Sequence, residues 1–469
     1  MSKKKSSKRQ SKRALIRAGK LEVHNPDSAG IDVGSEENWV AIPPNRESPT
    51  VRKFGCFTSD IHELATWLSD NDIRTVAMES TGVYWIPIYD ILEHEGFEVI
   101  LVNARDVKNV PGRKTDEKDC QWLQTLHMYG LLRASFRPAE DICGLRTLVR
   151  QRDTLVKCAS QHIQRMQKAL TQMNIQLHTV ISDITGTTGC AIIEAILSGE
   201  RNPEKLARLK NSRIQSSTAT ISKALQGNWR VDLLFCLSQE YESYNYFKKQ
   251  IVHCDKEIRE CLERFDSKSS DEKEIKKKSK KRSRSKVSFN LGDELLRILG
   301  CDLSAIPGID VLTILIIISE IGLDMSKWRT EKHFSSWLGL CPNHKISGGK
   351  ILSRRSRKVV NRAAIAFRIA AQSVSRTNSS MGAFYRRIKG RAGPSKANEA
   401  TANKIAKIFY KMVRYGISYQ ELGGEYYEQQ YRKRILQNLQ KKAMRLGYVL
   451  VGKEQTKENN EVNIVKEAA

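Results

Sequence analysis

Apolar and polar residues alternate along the first hundred residues as they do in strands that are half buried. The pattern predicts three strands joined as an antiparallel meander, at residues 30–34, 38–42 and 51–57. A helix, a strand, a helix and a strand follow, at residues 61–68, 74–78, 84–94 and 98–102. This order predicts a mixed α/β sheet in a first domain of residues 29–138.

The pattern changes to a seven-residue repeat in the next part of the chain, residues 139–266. One column consists of Val149, Val156, Ile163, Leu170 and Leu177, and a second of Leu237, Tyr244, Ile251, Ile258 and Phe265. Two long amphipathic helices are therefore predicted, as an arm or helical hairpin. The helices would either pack on their own domain or form a coiled coil between subunits, and the sustained repeat favours coiled-coil dimerisation.

The remaining segments are assigned from composition and helical periodicity. Residues 1–28 form a basic arm that we expect to be disordered, and residues 267–290 a Ser/Lys/Arg-rich linker. Residues 291–416 predict a mostly helical C-terminal domain, where the turn at 306–309 would either present amides to a phosphate or simply join two helices. Residues 417–469 predict a helical tail docked through Ile435, Leu439 and Leu446.

Charge points to a polyanionic partner. The 79 Lys and Arg residues outnumber the 52 Asp and Glu residues, for a formal net charge of +27, which favours nucleic acid over acidic small molecules. The ten cysteines are scattered without metal-binding spacing, as expected of reduced thiols in the cytoplasm. The longest apolar run, residues 311–318, is too short to span a membrane, so we expect a soluble cytoplasmic protein.

Four carboxylates lie where the predicted sheet would bring them together. Asp32 is in the first strand, Glu79 follows the fourth, and Asp116 and Asp119 are spaced to share one face of a helix. Taken alone, the last two could form a solvated face beside neighbouring lysines. Asp32 needs a stronger reason, because burying an unpaired carboxylate in an apolar strand is costly. Together the four predict a site for Mg²⁺, with Mn²⁺ as a substitute.

The chain resembles a known family at several ordered motifs. These are Gly-Ile-Asp-Val-Gly at 30–34, Met-Glu-Ser-Thr-Gly-Val-Tyr-Trp at 78–85, Val-Asn-Ala-Arg at 102–105, Pro-Gly-Arg-Lys-Thr-Asp-Glu-Lys-Asp at 111–119, Ile-Pro-Gly-Ile at 306–309, Trp-Leu-Gly-Leu-Cys-Pro at 337–342 and Ser-Gly-Gly-Lys at 347–350. Over about residues 29–450 they are similar to the insertion-sequence 110 family of transposases, in its 1111-like subgroup. The resemblance implies an N-terminal ribonuclease H/RuvC-like domain whose Asp-Glu-Asp-Asp tetrad is Asp32, Glu79, Asp116 and Asp119, then a coiled coil and a C-terminal transposase domain.

The resemblance also implies a serine nucleophile, Ser347; without it, Ser-Gly-Gly would be an ordinary flexible turn. Residues near the two motifs are expected to contact nucleic acid: Arg113, Lys114, Gly348, Gly349, Lys350, Arg354, Arg355, Arg357 and Lys358. The implied partners are donor and target double-stranded DNA, an element-encoded non-coding guide RNA and further copies of the chain, as a dimer or tetramer at the bacterial nucleoid. The alternative function is a RuvC-like junction nuclease that uses metal-activated water.

Overall fold

The structure is a computed structural model that describes residues 22–80, 82–103, 115–268, 287–353, 355–357, 359 and 361–450. Most of the predicted basic arm and most of the predicted linker lie outside these residues. The chain divides into two compact units, residues 1–137 and 138–469. In the described residues, no helix is both long enough and apolar enough to cross a bilayer.

The first unit is built on a five-stranded sheet. Its elements are β1 (Ser28–Val33), β2 (Glu37–Ala41), β3 (Val51–Gly55), α1 (Thr58–Asp70), β4 (Thr75–Glu79), α2 (Trp85–His94), β5 (Glu98–Val102) and α3 (Asp116–Met128). The strand order is β3-β2-β1-β4-β5, in which β1 is antiparallel to β2 and parallel to β4, and β4 is parallel to β5. The predicted mixed α/β sheet is confirmed.

Helices cover both faces of this sheet. Alternate residues of β1 and β4, including Ile31 and Met78, are fully buried in the core that α1 and α2 complete with Leu64, Leu68 and Leu92. The opposite residues of the same strands face α3, as expected when side chains alternate between the faces of a strand. The central strands are therefore held from two sides.

The last residues of the predicted basic arm are ordered by this unit. The backbone N–H groups of His24 and Asn25 both donate to the Met128 carbonyl over 3.0 Å, and the Asn25 side chain donates to the His127 carbonyl over 2.8 Å. These bonds satisfy carbonyls that the end of α3 leaves without helical partners. The expectation of disorder is therefore wrong for residues 22–28.

The second unit is mostly helical, as predicted for the C-terminal region. Its helices are α4 (Glu140–Gln172), α5 (Leu177–Val180), α6 (Thr187–Leu197), α7 (Pro203–Arg208), α8 (Thr218–Ala224), α9 (Val231–Glu263), α10 (Leu291–Leu299), α11 (Val311–Ile321), α12 (Glu331–Trp337), α13 (Arg362–Ser373), α14 (Ser380–Ala392), α15 (Pro394–Tyr415) and α16 (Gly423–Arg445). Short 3₁₀ helices occupy Leu303–Ala305 and Val374–Arg376. Between α12 and α13, strands β6 (Lys345–Ser347) and β7 (Lys350–Ser353) form a hairpin.

The two predicted long helices pack against each other within one chain. The side chains of Arg152 on α4 and Asp255 on α9 form a buried ion pair, and Asp255 also accepts a hydrogen bond from the Ser288 N–H over 3.0 Å. Ile258 is fully buried, and Ile163 on α4 and Ile251 on α9 pack against one shared hydrophobic core. The seven-residue stripe thus meets a helix of its own chain, which is the other arrangement that the repeat allowed, and coiled-coil dimerisation stays a prediction.

The turn at 306–309 is a connection packed against α13. An added Cβ at Gly308, which has a φ of +85°, would lie 2.5 Å from the Ala370 carbonyl oxygen. The Asp310 side chain accepts a hydrogen bond from the Thr313 N–H over 2.8 Å, so a carboxylate caps the start of α11. An anionic cap at that position disfavours phosphate, and the plain helix connection is the alternative that the structure supports.

The tail helix α16 contacts α14 through residues of its first half. The Arg387 guanidinium lies over the Tyr431 ring at 4.2 Å and over the Tyr427 ring at 5.6 Å. Further along, Ile435, Leu439 and Leu446 are 39%, 47% and 66% exposed. The prediction that these three residues dock the tail is wrong, because this part of the helix is exposed and does not bury their side chains against the rest of the unit.

Candidate active site

The first two predicted carboxylates end neighbouring parallel strands. In the β1–β4 register, Ile31 is level with Met78, so Asp32 and Glu79 occupy the next pair of positions. Both side chains are half-buried. They lie on the sheet face that carries Gly30 and Ala77, since residues two apart in a strand share a face. Two carboxylates therefore stand side by side at the carboxyl edge of the sheet.

Helix α3 crosses that face antiparallel to β1. The Gln124 side chain near its end donates to the Ser28 carbonyl over 3.3 Å, and an added Cβ at Gly30 would lie 2.6 Å from the Cys120 carbonyl oxygen. Only glycine permits this approach of helix and strand backbones. Because the helix runs against the strand, its first turn is carried toward the end of β1 that bears Asp32.

The first turn of α3 supplies the other two carboxylates. The helix is capped by the Thr115 hydroxyl, which accepts a hydrogen bond from the Lys118 N–H over 3.4 Å. Asp116 at the start is exposed, and Asp119, one turn on, is half-buried. Acidic residues are also favoured there by the helix dipole. All four predicted carboxylates consequently belong to one edge of the first unit.

The pKa of the Cys120 thiol depends in part on the charge of Asp32. This pKa is raised to about 12, first by burial and then by the negative charge of Asp32. The carboxylate of Asp32 is therefore close enough to α3 for its charge to act on the Cys120 thiol. At the far end of the helix, burial lowers the pKa of His127 to about 4, and its ring lies 2.9 Å from the Thr75 hydroxyl.

The four carboxylates suit a hard divalent cation in their chemistry, but the structure does not bring three of them together around one point. Within the described ranges, no group of three or more His, Cys, Asp or Glu side chains is placed to hold a metal ion. Oxygen donors are nonetheless the ligands that Mg²⁺ selects. That Asp32, Glu79, Asp116 and Asp119 hold a metal ion stays a prediction.

The predicted nucleophile lies in the second unit, beside the tip of the β6–β7 hairpin. Ser347 pairs with Lys350, and the two-residue turn between them consists of Gly348 and Gly349, with φ angles of +56° and +75°. Such a turn matches the twist of a hairpin but requires two residues with positive φ. Ser347 is exposed. Ser-Gly-Gly is thus a tight hairpin turn rather than a flexible segment.

The predicted nucleic-acid contacts have different surroundings. Lys350 and Arg355 are exposed, whereas Arg357 donates a hydrogen bond to the Ser336 carbonyl and so also supports the local fold. The remaining predicted contacts, Arg113, Lys114, Arg354 and Lys358, lie outside the described residues.

A wider charge pattern around the hairpin escaped prediction. Between Glu331 and Glu399 the sequence contains fifteen Lys and Arg residues and no Asp or Glu. A run of one sign over such a length of sequence favours a polyanionic partner, because neutralising the partner's phosphates releases counterions. The signal was present in the sequence as a run without acidic residues, and it extends the predicted contact region well beyond the serine motif.

Gly30 is the other residue that sequence reasoning missed. Its signal was a glycine within a buried strand, which marks a close backbone approach. The sequence predicted the strand but could not show that α3 is the element that comes close.

Two family models match parts of the chain. Residues 29–175 match a transposase model, that of the DEDD transposase of IS110. Residues 302–386 match a model described as the transposase IS116/IS110/IS902 family. No curated protein matches the chain. The first match includes all four carboxylates, and the second includes the hairpin with Ser347.

Proposed function

The chain belongs to the IS110 family of transposases, which are DNA-recombining enzymes, and from that premise we propose that it cuts and rejoins DNA. In this proposal Ser347 is the nucleophile. The divalent metal site is made by Asp32, Glu79, Asp116 and Asp119. The observation that carries the proposal is the approach of α3 to Gly30, which directs the first turn of the helix to the sheet edge that bears Asp32 and Glu79. We further propose that the sheet belongs to a RuvC-like domain.

Each part of the chain has a distinct task in this reaction. The exposed Ser347 hydroxyl bonds to the scissile phosphorus while the bond to a deoxyribose oxygen breaks, and the reverse step with a new strand end rejoins the DNA. A serine hydroxyl at its ordinary pKa is a weak nucleophile and needs activation. A bound divalent ion, Mg²⁺ or Mn²⁺, would polarise the phosphate and ease removal of the hydroxyl proton. Gly348 and Gly349 leave the hairpin tip without side chains, so that a backbone phosphate can approach closely.

The decisive experiment detects the covalent intermediate. Wild-type protein incubated with DNA that carries the joined ends of its element, and with Mg²⁺, should give a protein–DNA adduct that survives denaturation. Ser347→Ala should bind the same DNA but form no adduct and make no cut, and Ser353→Ala, at the end of the same hairpin, is the matched control. If Ser347→Ala cuts at the wild-type rate, the nucleophile is water and the enzyme acts as a junction nuclease.

We also propose that the sequence of the DNA is read by base pairing with a non-coding RNA that the element encodes. The basic region between Glu331 and Glu399 supports a nucleic-acid partner but distinguishes no particular nucleic acid. Sequencing the RNA that co-purifies with the protein from its native host tests this point. Enrichment of one transcript from the element is expected, and recovery of random cellular RNA alone would refute the guide.

A further inference from the structure

The β6–β7 hairpin has two chemically different faces. Ser347 and Lys350 are directly opposed next to the turn, and Ile346 and Ile351 form the next opposed pair. Successive side chains of a strand point to opposite faces, so the two isoleucines lie on the face away from Ser347. A register shift between Lys345 and Ile346 follows immediately, and it adds Leu352 to β7 without a partner residue.

The isoleucine pair is uncovered, since Ile346 and Ile351 are 62% and 42% exposed. The neighbouring unpaired Leu352 is 54% exposed. An isolated two-stranded hairpin is marginally stable in water, and grouped apolar side chains on a surface usually mark an interaction site. A polar turn alone would not require isoleucines in this pair. The pair therefore calls for an occupant that covers it.

Charge identifies that occupant. Lys345 and Lys350 flank the isoleucine pair within the hairpin, Arg355 follows it, and all three are exposed. No acidic residue occurs in the sequence between Glu331 and Glu399. DNA combines a polyanionic backbone with apolar base faces, so it complements both features at once. Apolar wedges inserted at base steps, with cationic neighbours on the phosphates, are a known way to open and bend a duplex.

We propose that the hairpin is a wedge that holds DNA open, with Ile346 and Ile351 stacked on the base pair that borders the opened step. The opposite face then presents Ser347 and Lys350 to the backbone of the separated strand. The proposal rests on the DNA substrate of the proposed function but not on the nucleophile or the metal. It adds a positioning role for residues that do not react.

The test is a binding measurement without chemistry. Fluorescence anisotropy, in the presence of a chelator, compares the full chain on a fully paired duplex and on the same duplex with a short central mismatch bubble. Wild type should prefer the bubble by about tenfold, because a duplex that is already open spares the wedge the cost of unstacking a base step. The double variant Ile346→Thr/Ile351→Thr keeps β-branched residues but should bind both duplexes equally. Ile365→Thr/Ile369→Thr, an exposed apolar pair on α13, is the matched control and should keep the preference.

A second variant and two further readouts keep the outcomes distinct. Ile351→Trp offers a larger stacking surface and should increase the preference for the bubble. A 2-aminopurine base at the mismatch should change its fluorescence with wild type but not with the threonine variant. An unchanged preference in the threonine variant overturns the wedge, as does a lowered mass in light scattering, which would assign the face to another copy of the chain. Because no cut is needed, failure here leaves the nucleophile proposal standing.

Discussion

The acidic edge of the first unit and the serine hairpin of the second are supported in opposite ways. The strands that carry Asp32 and Glu79 lie between two helical layers, with a helix backbone pressed against Gly30. The hairpin that carries Ser347 is exposed along both strands up to Leu352 and is held mainly by its own ladder. The comparison indicates that the acidic edge is organised by folding, and we expect the hairpin to take its working position from the nucleic acid that it binds.

The largest effect is expected from the carboxylates themselves. Asp119→Ala or Glu79→Ala should lower strand cleavage by roughly 10³-fold or more, because the residues act as one unit. DNA affinity should be nearly unchanged, since Lys and Arg contacts carry it. Gel assays with Mg²⁺ measure the cleavage. Glu117→Ala, an exposed residue of the same turn, is the control and should remain active. Cleavage in a chelator would contradict a metal site.

A mixing experiment tests whether the two regions act across subunits. Ser347→Ala and Asp119→Ala should each be inactive, but co-expressed chains should recover about a quarter of the wild-type sites if a dimer forms at random and each site draws its serine and its acids from different subunits. Asp119→Ala mixed with Glu79→Ala is the control and should recover nothing. If the first mixture also stays inactive, each subunit completes its own site, and Ser347 remains the proposed nucleophile.

Two glycine substitutions compare the packed strand at the acidic edge with the exposed hairpin. Gly30→Ala places a Cβ 2.3 Å from the Gln124 backbone nitrogen, and such overpacking should cost about 3 kcal/mol and lower the melting temperature together with cleavage. Gly349→Ala meets no atom within 4 Å but has a φ of +75°, so about 1–2 kcal/mol of strain stays in the hairpin. Its melting temperature should be unchanged while adduct formation falls. Equal melting temperatures for both variants would remove the contrast.

The smallest effect concerns the far end of α3, where burial lowers the pKa of His127 from 6.5 to about 4. Between these two pH values His127 is protonated in the unfolded chain but not in the folded chain. The free energy of unfolding therefore decreases as the pH falls through this window. Above the window both states are neutral and the residue contributes nothing. Between about pH 7 and pH 5 the loss is about 2 kcal/mol.

His127→Gln should remove this pH dependence. Thermal melts of wild type and variant at both pH values measure it, and the variant should lose less stability on acidification than the wild type. His62→Gln, an exposed histidine of the same unit, should behave as wild type. An identical acid response in His127→Gln would show that the ring is not the group that resists protonation.

Local pattern determined much of this protein. The element order of the first unit was predictable because strands and helices carry their own periods, as residues 98–102 show by matching β5. The position of Asp32 beside Glu79 was predictable because parallel strands end at the same edge of a sheet, whereas Ser347 was proposed only through the family motif. These inferences needed only residues that are close in sequence, or a known motif, and no knowledge of contacts between distant parts of the chain.

Only the tertiary structure decided what covers each apolar surface. A seven-residue repeat specifies an apolar stripe but not the surface that covers it, and here Ile163 on α4 and Ile251 on α9 pack against one core of the same chain. The same pattern on α16 left Leu439 exposed. The two faces of the hairpin depend on the pairing of Ile346 with Ile351, which the glycine turn sets. Burial depends on which distant surface meets a residue, and that is a property of the whole packed chain.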